Sequence, residues 1–206
     1  IGIALLRSYS PITQRKYIVV KSTVVPTTTE EVVIPEIEIN SAMMAGRDFG
    51  VCMNPEFMTE ISHSWNLEEE AERNFFSEDR IVIGEYDERS GDVLEELYKP
   101  LKKPIFRTDL KTAEMIKYAS NCMLATKVSY WNEIFLICKD IDIDSQKVAE
   151  IVSLDSRIGE YGTVHGKAFG GKCLSKDLKA FLFFAEKYHK TKLLRAVDEI
   201  NEEMKK

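Results

Sequence analysis

The sequence predicts an α/β fold: a partial Rossmann-like parallel sheet followed by an all-helical central domain with one long connecting helix. Strand and helix signals alternate up to about residue 108, the pattern of a mostly parallel sheet. From Asp109 to about Asp140 there is no Gly and no Pro, and apolar residues recur at helical spacing. The signals after that stretch are all helical. Two domains follow, 1–108 and 109–206.

Taken in order, "KYIVVKSTV" (16–24) is a β-branched run typical of a buried strand. Thr27, Thr28 or Thr29 could cap a helix with Glu30 and Glu31 in its first turn, expected to end near Pro35. "DFGVCMNPEF" (48–57) reads as a second strand running into a loop, because Pro55 disfavours helix at Asn54. "DRIVIGEY" (79–86) is a third strand, "SGDVLEELYKPL" (90–101) a short helix and "KPIFRT" (103–108) a fourth strand. In the long run, Ile116, Met123, Leu124, Val128, Trp131, Phe135 and Cys138 keep helical spacing. At ~1.5 Å per residue such a helix is roughly 45 Å long, the length of one that joins domains or lies across a subunit interface. "SQKVAEIVS" (145–153) is a further helix, and five of the ten glycines crowd into 159–171. "SKDLKAFLFFAEKYH" and "KLLRAVDEINEEMKK" close the chain as helices.

Composition narrows the class. A chain of 206 residues, 44% hydrophobic and 30% charged, can bury a globular core. Its net charge of −6 argues against nucleic-acid or anionic-membrane partners. No apolar run approaches the ~20 residues that span a bilayer. The four cysteines, Cys52, Cys122, Cys138 and Cys173, show no C-x-x-C spacing, and no His cluster accompanies them. Neither a zinc site nor a disulfide framework fits, so a cytoplasmic protein with reduced thiols is expected. The opening "IGIALL" resembles helix already under way, and a piece of a longer polypeptide is expected.

"HGKAFGGKCLSKD" (165–177) fits the G-x-x-x-x-G-K frame of a phosphate loop until Cys173, where that motif needs Ser or Thr to bind Mg²⁺. A thiol is a poor magnesium ligand, and no strand precedes the loop. Cys173 instead stands between Lys172 and Lys176, before a helix expected to start near Ser175. Two cations and a helix N-terminus favour thiolate, as at a nucleophilic cysteine; a free cysteine packed beside a glycine turn is the plain alternative. Asp177, one turn further on, could hold a water or favour the helix dipole. Lys117 and Asn121, spaced i, i+4, share a helix face and could donate to an oxyanion or simply meet solvent. Glu56 and Glu60 follow a strand at the sheet edge where open α/β sheets bind ligands, and Thr23 ends another strand there.

Put in order, "KSTV…P", "NPEF…E…RIVIG", "AEMIKYASN…NE", "LDSRIG" and "FGGKC…KD" resemble the UDP-sugar dehydrogenases, with the members that oxidise UDP-glucose the most similar. The resemblance runs through nearly the whole chain. It implies NAD-dependent four-electron oxidation of UDP-glucose to UDP-glucuronate through a cysteine thiohemiacetal and thioester, in a homodimer. It implies Cys173 as nucleophile, Lys117 and Asn121 as oxyanion donors, Asp177 and Thr23 as residues that position water, and Glu56 as acid/base. The backbone from Glu56 through Phe57 and Met58 to Glu60 would line the substrate. So would the loop Val164, His165, Gly166, Phe169 and Gly170, with Arg157 reaching from a partner subunit. Thr23, Glu60 and Lys176 would lie near the nicotinamide cofactor. Ser175 stands where the family usually has proline, and "ISHSWNLEEEAERNF" (61–75) carries a few extra residues. The family's glycine-rich dinucleotide turn is expected before Ile1 and its C-terminal nucleotide-binding domain after Lys206, so this stretch alone is expected to be inactive. A GDP-mannose or UDP-N-acetylhexosamine dehydrogenase is the alternative within enzymes. A non-enzymatic, dimerising helical module, built on the long helix, is the alternative outside them.

Overall fold

A computed structural model describes residues 15–57, 65, 78–170 and 173–206. These fall into two compact units, one comprising residues up to 57 with 78–117, the other Trp65 with 118 onward.

The first unit is built on a four-stranded sheet in the order β1 (Lys16–Val20), β2 (Phe49–Met53), β3 (Ile81–Glu85) and β4 (Ile105–Asp109). β1 and β2 pair in parallel from Lys16↔Phe49 to Val20↔Met53, and β3 and β4 from Ile81↔Ile105 to Glu85↔Asp109. β2 and β3, however, run antiparallel, through Cys52↔Glu85 and Met53↔Gly84. The sheet is therefore mostly parallel, as expected, with one antiparallel pairing at its centre. The alternation of strand and helix signals indicates the parallel pairs, but it does not mark the single antiparallel pairing of β2 with β3. Side chains alternate across the sheet with period two. Val51, Met53 and Val82 pack into one buried cluster with Ile34, Ile37, Leu110 and Ala113. Cys52, Ile81 and Ile83 pack into another with Leu94 and Tyr98. Both faces are covered, which is why β2 and most of β3 are apolar throughout.

A wide π turn, Thr29–Val33, leads into helix α1 (Ile34–Ser41), which ends at Ala42 in the left-handed conformation. The expected end near Pro35 is thereby corrected. Pro35 lies in the first turn of α1, where its missing N–H costs little, and the widened turn before it relieves the clash with the preceding carbonyl. Helix α2 (Glu88–Tyr98) starts at Asp87, whose carboxylate accepts from the Ser90 N–H. Arg15 pairs with the same carboxylate at 2.8 Å.

Helix α3 (Leu110–Asp140) has 31 residues, as the Gly- and Pro-free run predicts. Asp109 holds its first turn by accepting from the Thr112 N–H and hydroxyl. In the second unit Cys122, Ala125 and Val128 of α3 form a core with Phe169, with Leu178 of α5 (Leu174–Ala185) and with Val197 of α6 (Lys192–Glu203). Helix α4 (Ser145–Ser153) is capped by Asp144. No helix among the described residues is long and apolar enough to cross a membrane.

Candidate functional site

Two clusters of polar side chains stand out, one in each unit.

In the first unit the chain leaves the ladder at Lys21 and Asn54, the carboxyl ends of the parallel pair β1 and β2. Asn54 is buried and bonded through both its oxygen and its amide. Its oxygen accepts from Lys21 Nζ at 2.7 Å and from the Tyr98 hydroxyl, and its amide donates to the Val82 carbonyl at 2.7 Å. Lys21 also lies 3.6 Å from the half-exposed Glu56 carboxylate. Burial pulls the Lys21 ammonium below its ordinary value, against the opposing pull of Glu56 and Glu78. Glu78 is buried and accepts the Phe57 backbone N–H at 2.7 Å. Desolvation pushes its carboxyl above the ordinary range, opposed by that hydrogen bond and by the charges of Lys21 and Lys117. Lys117 is itself buried, with its ammonium 5.2 Å from the centre of the Phe57 ring; Arg80 stacks on the same ring at 4.1 Å. Thr23 lies half-buried just past β1.

A parallel strand pair whose carboxyl ends carry buried donors is the edge at which open α/β sheets receive nucleotides. Lys21, a cation at that edge between Asn54 and the Glu56 carboxylate, is a donor of the kind an anionic dinucleotide requires. Met58 and Glu60 lie outside the described residues, as do Gly171 and Lys172.

In the second unit Cys173 opens α5 and is exposed, whereas Cys52, Cys122 and Cys138 are all buried. Burial pushes the Cys52 and Cys122 thiols up to about 12, with nearby carboxylates adding to the effect. Those two sulfurs are inert near neutrality. Asp177, one turn into α5, is buried, and one of its oxygens accepts from the Asn121 amide at 2.6 Å. Its other oxygen lies 3.2 Å from Lys176 Nζ. Asn121 shares its face of α3 with Lys117.

The loop before Cys173 is fixed through its backbone. Gly162 and Val164 donate to the Trp65 carbonyl at 2.8 and 3.4 Å. His165 is held between the Thr163 carbonyl and the Ser145 hydroxyl. Gly166 and Lys167 bind Asn132, and Phe169 binds Asn201. Gly170 is exposed. Arg157 projects into solvent, tied only to neighbouring Asp155 among the described residues.

Six residues of these clusters escaped the sequence reading: Asn54, Glu78, Tyr98, Trp65, Asn132 and Asn201. Asn201 carried a usable signal, because it sits four residues after Val197 on an apolar helix face. Asn54 stood in the quoted "NPEF" block. Glu78 carried none, since an acidic residue before a strand is ordinary. Among the described residues no group of His, Cys, Asp and Glu could hold a metal ion.

Comparison with known proteins gives the frame for these clusters. Residues 6–102 match the NAD binding domain of the UDP-glucose/GDP-mannose dehydrogenase family, and residues 111–203 match its central domain. A GDP-mannose 6-dehydrogenase of Pseudomonas savastanoi pv. phaseolicola is 44% identical over 83% of this chain and 38% of its own length. A UDP-glucose 6-dehydrogenase of Haloferax volcanii is 38% identical over 90% of this chain and 43% of its own. The structure of a UDP-glucose dehydrogenase from the hyperthermophilic archaeon Pyrobaculum islandicum superposes with a TM-score of 0.85 at 36% identity, over 98% of this chain and 44% of that one. The chain thus spans less than half the length of these relatives.

Proposed function

Because the chain belongs to the UDP-glucose/GDP-mannose dehydrogenase family and carries its NAD-binding and central domains, we propose that it forms the catalytic part of an enzyme oxidising UDP-glucose to UDP-glucuronate. The observation that carries this reading is the contrast among the cysteines. Cys173 alone of the four is exposed, at the head of a helix whose first turn holds the Asn121–Asp177 bond.

An alcohol oxidised twice at one carbon must be retained as the aldehyde between the two oxidations. The Cys173 sulfur does this by adding to the aldehyde carbon, and it later holds that carbon as a thioester. Lys117 and Asn121, from one face of α3, donate to the oxygen as negative charge develops on it. Asp177 and Thr23 position the water that opens the thioester, and Glu56 takes its proton. Hydrolysis returns the thiol. Bound NAD⁺ supplies the hydride acceptor for both oxidations. Thr23, Glu60 and Lys176 are the residues that would hold it. The sugar nucleotide is lined by Glu56 to Glu60, by Lys117 and Asn121, and by the loop through Val164, His165, Gly166, Phe169 and Gly170.

The working unit is a cytoplasmic homodimer in which Arg157 reaches the partner's substrate. Met123, Tyr130 and Ile137 support this, lying seven apart on α3 with 60%, 52% and 52% of their surface exposed. Such a stripe suits pairing with a second copy.

GDP-mannose is the second reading for the substrate, favoured by the 44% identity to the Pseudomonas enzyme. The test assays the full-length protein for NADH formation with UDP-glucose, GDP-mannose and a UDP-N-acetylhexosamine, beside a Cys173→Ser variant. NADH from UDP-glucose alone, lost in the variant, is the expected result. Turnover of GDP-mannose alone transfers the substrate assignment, and a fully active Cys173→Ser protein refutes the thiol chemistry.

A further inference from the structure

Residues 162–170 have no regular secondary structure, yet a carboxamide holds each key point of their course. Asn201 of α6 is wholly buried. Its oxygen accepts from the Phe169 N–H at 2.7 Å and its amide donates to the Phe169 carbonyl at 3.1 Å. Both bonds go to one residue, so the side chain pairs with Phe169 as a neighbouring strand would. Three residues earlier, Asn132 of α3, also wholly buried, accepts from Gly166 and donates to the Lys167 carbonyl, each at 2.9 Å. The Phe169 ring is sealed into the core of the second unit beside Val197, which lies one turn before Asn201 on α6. Ser129 of α3 ties down the same turn through the Val197 carbonyl at 2.8 Å.

The position calls for an acceptor and a donor side by side on one short, neutral side chain, which a carboxamide supplies. Aspartate has no amide donor and would set a buried charge against the Phe169 carbonyl. Leucine would leave a buried N–H and a buried carbonyl unpaired. Phe169 stands four residues before Cys173 and is, among the described residues, the last point before α5 at which a side chain holds the loop backbone. Holding a loop in this way removes its disorder before substrate arrives, which favours both binding and reaction geometry.

We propose that Asn201 is a positioning residue for the Cys173 chemistry, acting from α6 through the backbone of Phe169 and touching neither substrate nor cofactor. This rests on the dehydrogenase reading above. The comparison uses Asn201→Asp and Val197→Ala in the full-length protein. Val197→Ala trims packing in the cluster that holds the Phe169 ring but keeps both hydrogen bonds to the Phe169 backbone, and so separates loss of the carboxamide pairing from loss of core packing on the same helix. Three quantities are read: the thermal midpoint, kcat and KM for the nucleotide sugar, and the rate of Cys173 alkylation by iodoacetamide.

Asn201→Asp is expected to lower kcat by about 10²-fold, the usual consequence of misplacing a reacting group by about an ångström. It should also change the Cys173 alkylation rate at least several-fold. Val197→Ala should keep both within about twofold at a comparable loss of thermal stability. Equal losses in the two variants, or an unaltered kcat and alkylation rate in Asn201→Asp, overturn the proposal. Alkylation separates this failure from that of the parent reading. A wild-type protein that oxidises no nucleotide sugar refutes the dehydrogenase assignment. The thiol rates still decide whether Asn201 places Cys173.

Discussion

Replacing Gly162 by alanine puts the claim that loop 155–170 is held against α3 to a quantitative test. Gly162 has φ +93, outside the comfortable range of any L-residue, and an added Cβ would stand 2.9 Å from the Lys127 carbonyl carbon and 3.1 Å from its oxygen. Those atoms are helix backbone and cannot turn aside. The conformational strain costs about 1–3 kcal/mol. The overlap adds about 1–3 kcal/mol by analogy with overpacked cores. Together they predict a loss of about 2–6 kcal/mol, which at this chain length, at about 2–4 °C per kcal/mol, lowers the thermal midpoint by about 4–24 °C. Two neighbours serve as internal controls. Gly159 has φ +66 but nothing within 4 Å of its added Cβ, so alanine there costs about 1 kcal/mol. Gly170 has open space and no positive φ, so alanine should fall within about 0.5 kcal/mol of wild type. The assay is urea and thermal unfolding of the three variants, followed by circular dichroism. If Gly162→Ala costs no more than Gly159→Ala, the loop does not lie against α3 as described.

Further outcomes follow from individual contacts. Native-state alkylation at pH 8 should modify Cys173 first, with Cys52 and Cys122 reacting only on unfolding; mass mapping of the labelled peptides checks this. Asn121→Leu removes the only hydrogen bond that the described residues offer the buried Asp177 carboxylate and should cost about 1.5–3 kcal/mol, read by denaturant unfolding. Thr29→Val leaves the buried Glu114 without the hydroxyl that donates to it at 2.6 Å, a loss of about 1–3 kcal/mol in the same assay. Glu78, whose folded pKa is raised, contributes stability that is full below its unfolded pKa and is lost as pH rises through the folded one. Glu78→Gln should therefore gain on wild type as pH climbs from 4 to 7.5 in urea titrations. A constant or shrinking gap contradicts the buried placement of that carboxyl.

The order of elements was legible because each depends on nearby residues. β-branched runs bounded by Pro, Asn and Asp mark the strands, and the Gly- and Pro-free run gives α3 from Leu110 to Asp140. What stayed hidden depends on distant partners. The antiparallel meeting of Cys52 with Glu85 arises from residues 33 apart in sequence, on strands whose patterns read the same in either direction. The helix that continues through Pro35 does so after a widened turn, with Glu114, more than 80 residues away, accepting from the Thr29 N–H. A local rule for proline cannot anticipate a cap supplied from another element.

The candidate site divides along the same line. Cys173, Asp177, Lys117 and Asn121 could be singled out because helix periodicity brings Lys117 beside Asn121 and places Asp177 one turn past Cys173. The buried groups around them were harder to single out, since Glu78 and Asn132 acquire their hydrogen bonds only from burial and Asn201 shows in the sequence only as a polar residue on an apolar helix face. An asparagine at zero exposure must satisfy one acceptor and two donors from the chain around it, and a loop backbone without regular structure has matching groups to offer. The two needs meet at Gly166, Lys167 and Phe169. A buried carboxamide facing an irregular loop is therefore better evidence of a shaped loop than the glycines are. Glycine only permits the unusual course, whereas the carboxamide selects it.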